Sequence, residues 1–336
     1  MTHAVVRPVR EDDVDGLVAL AKTSDGGMTN LPPDPKVLAQ RVERSVQSFA
    51  KDIEAPGDEV YMMVLERDGE IIGATGVFAA IGLEEGFINY RINTEVHVSH
   101  ELDKRFKRQL LVPTHDFTGA SEVAMLFLSP NARGGGFGKL LARVRYLLMA
   151  QSPERFSDTI CGEIRGWREA DGARPVWDAL GARFFDMEFE QADRYNAAFG
   201  NQFIADLMPR HPIYVCLLSK AAQKALGQPH KNARPAYEML VKEGFEYTGY
   251  VDIFDGGPVL HAKLKDVDAV KNSRPLRVQK NALGPEIDSI VAAGTKDHFR
   301  TVRAKARVQN DAIFLPAEAA DVLNVAPGDV VRQLNW

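Results

Sequence analysis

A near-continuous apolar run from Glu122 to Leu128 leads into Ser129-Pro130-Asn131-Ala132-Arg133-Gly134-Gly135-Gly136-Phe137-Gly138. From Lys139 to Met149, Leu140, Leu141, Val144, Leu147 and Leu148 then recur at helical spacing. No other stretch restricts the fold as much. The apolar run predicts a central strand covered on both faces. A glycine-rich turn between such a strand and a helix exposes the N–H groups of the first helical turn and the positive end of the helix dipole, which together bind anions. Glycine lets the backbone come close to a phosphate.

The elements before this segment are strand, helix, helix and an antiparallel meander. Val5 to Arg10 reads as a strand, and Glu11 to Ala21 as a helix with Val14, Leu17, Val18 and Ala21 on one side. Gly26 to Pro33 is rich in breakers and reads as a loop, and Lys36 to Ala50 as a second helix. Asp68-Gly69 between Tyr61–Arg67 and Ile71–Ile81 is a strong hairpin signal, and Asn89 to Ser99 alternates as a further strand. After the central segment, Asp158 to Arg165 reads as a strand. Pro175 to Leu180 reads as a short helix ended by Gly181, and Phe184 to Phe189 as a strand. Ala173-Arg174-Pro175 with its helix, glycine and aromatic strand is echoed by Ala233-Arg234-Pro235, a helix, Gly244 and Phe245 to Phe254, which suggests a structural repeat. Beyond Lys265, short apolar stretches such as Ala312–Pro316 and Val325–Val331 alternate with Gly and Pro, and a small β-rich, barrel-like appendage is expected.

With 336 residues, two domains or one plus an appendage are expected. The balance of 41 basic and 46 acidic residues, with no long run of one sign, argues against a nucleic-acid partner. Charges begin at once after Met1 and no apolar stretch approaches about 18 residues, so neither a secretion signal nor a membrane span is expected. Cys161 and Cys216 form no C-x-x-C pair; core packing in a reducing, cytoplasmic compartment is the expectation. His97 and His100 are poorly spaced for a metal on a strand, and no metal is expected.

Two phosphate-binding patterns fail at the glycine turn. Gly138-Lys139 lacks the glycine of a P-loop at Arg133, and Leu140 stands where a Mg²⁺-holding hydroxyl is required. The G-x-G-x-x-G pattern ends on Lys139 from Gly134 and on Leu141 from Gly136, and a meander precedes it instead of a βαβ unit. Arg133-x-x-Gly136-x-Gly138 does resemble the pyrophosphate loop of the GNAT superfamily of acyl-CoA N-acyltransferases. That resemblance implies an α+β, GNAT-like, mixed and mostly antiparallel sheet flanked by helices. It also implies CoA contacts from the amides of Arg133, Gly134, Gly135, Gly136, Phe137, Gly138 and Lys139, and from a splayed strand at Leu126, Phe127 and Leu128.

Further segments resemble the arginine N-succinyltransferases. They include Asn89-Tyr90-Arg91, Thr118 to Glu122, Gly181 to Phe185, Phe203 to Pro209, Gly227-Gln228-Pro229-His230 and Tyr250 to Pro258, within a likeness that runs from about residue 5 to 260. The resemblance implies succinyl transfer from succinyl-CoA to the α-amino group of L-arginine by direct attack in a ternary complex, with succinyl-CoA as co-substrate and no permanently bound cofactor. It places the proton donor at His230 and a succinyl-CoA contact at Leu126. Arg91 is a candidate partner for the succinyl carboxylate, and Glu163 for the substrate guanidinium or a base relay. The expected organisation is a CoA-binding core over 1–190, a helix–strand segment over 191–265 that completes the site, with a GNAT-like repeat as one form of it, and a β-rich domain over 266–336. Three alternatives stay open: another amine or acyl donor (ornithine, acetyl-CoA), a partner subunit of a two-chain enzyme, and a binding module without a CoA role. A homo-oligomer, or a hetero-oligomer with a related chain, is compatible with the resemblance.

Overall fold

The computed structural model describes residues 4–24, 31–84, 86–199, 202–281 and 284–336. The predicted loop from Gly26 lies outside the described residues as far as Asn30. The chain packs as two compact units, one of residues 1–80, 123–158 and 263–336, the other of 81–122 and 159–262. Neither is serial in the chain, whereas the division expected from sequence at 190 and 265 is.

In the first unit, strands Ala4–Pro8, Val60–Arg67 and Glu70–Phe78 pair antiparallel in that order. Asp68 and Gly69 both take positive φ, 56° and 80°, the two left-handed residues that a tight hairpin matched to strand twist requires. Helix Pro35–Ala50 starts where Asp34 accepts from the Lys36 and Val37 amides, with Pro35 in the first turn. Its Leu38 and Val42 join Leu17 of helix Val14–Ala21 on a core made with Val60, Met62, Val64 and Met125.

Five short strands of the same unit, Arg274–Val278, Glu286–Ala293, Arg300–Gln309, Ala312–Phe314 and Val330–Asn335, close on themselves as a barrel. The barrel-like expectation holds, but the barrel is not loosely appended. Its strand Arg300–Gln309 also pairs with the first strand of the chain through Val5↔Val302 and Val6↔Thr301.

The second unit is built on strands Asn89–Ser99 and Lys104–Thr114, a long hairpin whose second arm the sequence reading missed. Its alternation is weak because the outer half is solvated on both faces, with Val96, Val98 and Phe106 exposed. Asn89–Arg91 pair with Tyr250–Asp252 of strand Glu246–Asp252, which also pairs with Pro258–Lys263. Strand Thr159–Glu163 runs parallel to Ser121–Glu122, the start of strand Ser121–Leu128, in which the chain passes from this unit to the other.

Two expectations fail between residues 175 and 189. Gly181 does not end the helix: it has helical φ −54° and ψ −51°, and the turn continues through Phe185. No strand forms at Phe184–Phe189; a helix begins at Phe189 instead. The reason is the Trp177 ring, which stacks on Phe185 at 5.4 Å and meets Phe189 edge-on at 5.5 Å. Phe185 closes the first helix and Phe189 opens the next, with Asp186 left-handed between them at φ +50°, so the break lets both rings pack on one indole. The echo with Ala233-Arg234-Pro235 therefore stops at the helix, since the later copy does continue through Gly244 into a strand. Cys161 is buried as expected, but Cys216 is exposed.

A Cβ at Gly181 would stand 2.4 Å from Trp177 Cε3. Gly181→Ala should therefore lower the free energy of unfolding by about 1–3 kcal/mol, the usual cost of overpacking a core. Denaturant titration checks this, and an unchanged midpoint would contradict the packed helical turn.

Candidate active site

The glycine turn forms as the local sequence dictates. Ser129 N–H donates to Ile72 O at 2.8 Å, Pro130–Ala132 make one 3-10 turn, and Gly134 takes φ +92°. Gly136, at φ +79° and ψ 0°, is the N-cap of the 15-residue helix Phe137–Gln151. A glycine cap brings no side chain to the first helical turn, so nothing of the cap itself covers the positive end of the dipole. Side chains added at Gly134 or Gly138 would meet open space, whereas the Gly136 position is crowded. Arg133 is exposed, and Leu126 to Leu128 are half-buried after a kink at Met125, whose φ of +57° marks a bulge within the strand. The first unit thus brings together the loop and the strand end expected to contact CoA.

The second unit gathers the remaining candidates. Arg91 stands opposite Tyr250 and Asn89 opposite Asp252 in one antiparallel pair, so all four lie on one face, two residues apart along each strand. The Arg91 guanidinium sits 5.1 Å from the Tyr250 ring centroid, and Tyr250 Oη donates to Asp116 at 2.7 Å. Asn89 Nδ2 donates to Glu163 Oε1 at 2.9 Å. One end of this face is therefore cationic and the other carboxylate, separated by about 7 Å at the usual strand rise.

Glu163 belongs to a set of carboxyls with Glu122, Asp252 and Asp255. Burial, reinforced by the charge of Glu122, pushes Glu163 up to about 8, although the Asn89 bond pulls the other way. Burial and then Asp252 push Glu122 up to about 7. Asp252 is raised well above the usual carboxylate range by burial and by Glu163 and Asp255, against the amides of Phe254 and Asp255 that bond it. Glu163 and Asp252 keep part of their surface open, while Glu122 and Asp255 are 7% exposed. A partly accessible carboxyl that takes up protons near neutrality is suited to general acid–base work.

The run Asp255-Gly256-Gly257-Pro258 has a physical account here. Asp255 accepts from the Gly166 and Gly257 amides at 2.7 and 2.9 Å. A Cβ at Gly257 would lie 2.0 Å from Ile164 O, and one at Gly166 2.5 Å from Asp255 O, so only glycine fits at either position. This clasp holds the chain that leaves strand Thr159–Glu163, and with it Arg165. The Arg165 carbonyl accepts from the His230 backbone amide at 2.8 Å, and Gly166 bridges to Pro229.

His230 is buried at 7% exposure, not a solvated loop residue. Its Nδ1 lies 3.1 Å from Arg165 Nη2 and accepts from the Asn232 amide at 3.2 Å. Both neighbours are obligatory donors, so Nδ1 is the acceptor and the proton of the neutral ring resides on Nε2. That tautomer is the one able to donate from Nε2.

Glu163 and Arg91 share a face and His230 is tied to the strand that carries Glu163, all within one unit; the glycine loop belongs to the other. Sequence reasoning missed Arg165, Asn89, Glu122 and Asp252 as functional neighbours. Placement in family-like segments signalled Asn89, Glu122 and Asp252 but not Arg165, and nothing in their spacing assigned a role. A surface cavity of about 600 Å³ in the first unit, lined by Arg7, Phe49, His298 and Arg300 among others, contains none of the candidates.

A family model described as arginine N-succinyltransferase beta subunit matches residues 4–269, and one for that subunit's C-terminal domain matches 274–335. The chain belongs to the arginine N-succinyltransferase family. The junction between these matches falls close to the division expected after residue 265. An arginine N-succinyltransferase of Escherichia coli strain 55989 is 39% identical over 332 residues, covering 98% of this chain and 96% of the relative. A relative of the same name from Shigella flexneri is 38% identical over the same length. The solved structure of arginine/ornithine succinyltransferase subunit AI from Pseudomonas aeruginosa superposes with a TM-score of 0.89 at 33% identity, covering 100% of this chain and 99% of that one. Among the described residues no helix is long and apolar enough to cross a membrane.

In this family member Glu163 and Glu122 hold protons more tightly when folded than when unfolded. Their contribution to stability is complete below the usual glutamate range near 4.5 and is lost as pH rises through about 7 to 8. Glu163→Gln should flatten the fall in melting temperature between pH 5 and pH 8 and raise it at pH 8. Thermal unfolding across that range checks this; a parallel pair of curves would contradict the raised carboxyl.

Proposed function

We propose that this chain transfers the succinyl group of succinyl-CoA to the α-amino group of L-arginine, giving N2-succinyl-L-arginine and CoA. The observation that carries the reading is family membership over nearly the whole chain, in a sequence that retains Arg133, Gly136, Gly138 and His230.

The chain's own residues divide the work. The loop Arg133–Lys139 offers backbone amides and a helix N-terminus to the CoA pyrophosphate, and the strand around Leu126–Leu128 offers backbone groups to the pantetheine arm. The α-amine attacks only when neutral. Glu163, with a proton affinity near that of an α-amino group, accepts the ammonium proton directly or through a water. Attack forms the C–N bond and a tetrahedral oxyanion that needs N–H donors. Collapse breaks the C–S bond, the leaving thiolate takes the proton of His230 Nε2, and the second proton on the attacking nitrogen passes through water to His230 and restores it as the amide forms. Arg91 suits the succinyl carboxylate, and Glu163, once ionised, suits a cationic side chain as the alternative to the base role.

Ornithine is a specific second acceptor, since the relative with a TM-score of 0.89 is described as an arginine/ornithine succinyltransferase subunit. That name also supports an assembly with a second related chain.

Thiol release is to be followed with succinyl-CoA or acetyl-CoA against arginine or ornithine. Succinyl-CoA with arginine should be fastest; silence with every pair would remove the enzyme reading, and faster turnover with acetyl-CoA the succinyl claim. His230→Ala should lower kcat about a hundredfold or more, as loss of a general acid does. The pH profile of kcat/KM should rise through about 8 and lose that limb in Glu163→Gln. An unchanged limb would take Glu163 out of the base role.

A further inference from the structure

The barrel has no assigned role, yet it reaches the glycine loop within the first unit. We infer that Trp336, held at the end of the barrel strand Val330–Asn335, is a positioning residue that latches the Gly136 turn and two cations into a polyphosphate-binding shape. The inference rests on the proposed binding of acyl-CoA at this loop and adds to it the part played by the barrel.

The Gly136 turn and the indole are in direct contact. A Cβ placed on Gly136 would stand 2.7 Å from Trp336 Cζ2 and 3.2 Å from Arg303 Nη1. The left-handed turn at Gly136 is therefore required twice, by its φ of +79° and by the ring edge lying against it. The ring also carries two cations. The Arg303 guanidinium carbon is 3.9 Å from its centroid and Lys139 Nζ is 4.6 Å away, both within cation–π range. The indole is itself anchored: the Trp336 backbone amide donates to Asp288 O at 2.8 Å, and Asp288 pairs with Arg303 through Nε at 3.0 Å and Nη2 at 2.5 Å. On the next turn of the helix, Arg143 Nη1 donates to Asn335 O at 3.1 Å.

The charge arrangement points to the ligand. Lys139 lies in the first turn of the helix, and Arg303 stands beside its N-cap. Cations at that end oppose the helix dipole, and Asp288 bonds Arg303 directly while attracting Lys139 from further away. An anion seated on the turn reverses the sign of both interactions. A polyphosphate suits it best: the loop offers several amides, open space lies over Gly134 and Gly138, and two cations stand at the same ring. Trp336 fixes where those cations stand. Without its face, Lys139 and Arg303 lose a shared contact and the turn loses a wall, which weakens binding of the phosphates and leaves the amine side untouched.

Trp336→Leu and Trp336→Phe in the full chain test this, because the residue is only half-buried, leucine keeps an apolar side chain there without a π face, and phenylalanine restores the π face in a smaller ring. Calorimetric titration with CoA and with inorganic pyrophosphate should give affinities about tenfold weaker for Trp336→Leu, the size of a lost pair of cation–π contacts. Trp336→Phe should recover most of the loss. In turnover, KM for succinyl-CoA should rise by the same factor while kcat and KM for arginine stay within about twofold. Trp336→Leu with wild-type affinity for CoA, or Trp336→Phe as weak as Trp336→Leu, would overturn the latch while leaving the CoA reading intact. A wild-type chain that binds neither CoA nor pyrophosphate would overturn both.

Discussion

Strand Ser121–Leu128 is buried over its first five residues, and every backbone polar group along it needs a partner. Its first two residues meet that demand by parallel pairing with Ile160 and Cys161. The kink at Met125, in left-handed conformation, then re-aims the strand toward the glycine turn. The chemistry is hung from the two ends of this element. Glu122 enters the carboxyl set of one unit, and Leu126–Leu128 lead to the Gly136 turn, the proposed CoA side, in the other.

The carboxyl set illustrates how burial changes what a residue does. Glu122, Glu163 and Asp252 would be ionised on a surface. Enclosed together, each raises the proton affinity of its neighbours, and the protein holds protons there instead of charges. Desolvating several carboxylates is costly unless protons or hydrogen bonds neutralise them. Asn89 and the amides of Phe254 and Asp255 supply some of those bonds; Asn89 Oδ1 is left without a partner, facing the same cluster. The balance sits near neutrality, where an amine-acylating enzyme has use for a base.

Much of the architecture could be read from local pattern. The Asp68-Gly69 hairpin, the Pro35 helix start, the central strand and the glycine turn each follow from backbone preferences of adjacent residues. The errors arise where a distant group decides. Packing on Trp177 makes Phe184–Phe189 a helix end, a turn and a helix start instead of a strand, and solvent on both faces hides the strand Lys104–Thr114. The repeat suggested by Ala173-Arg174-Pro175 rests on the same misjudged strand. Among the proposed site residues, the glycine loop was legible from its local pattern and His230 only through resemblance. Arg165 and Asn89 were not, since an arginine or asparagine gains a role from what it meets in space.

The sequence by itself determined where a glycine-capped helix start lies and which nucleotide-binding patterns it is not. A glycine's left-handed φ and a helix start without a side-chain cap are properties of a few consecutive residues. Only the tertiary structure decided the protonation of Glu163, the tautomer of His230 and the wall against Gly136. Each depends on groups far apart in the chain: Glu122 and Asp252 for the first, Arg165 and Asn232 for the second, Trp336 and Arg303 for the third. Electrostatic environment and close packing are fixed by distance in space, and the fold alone sets those distances.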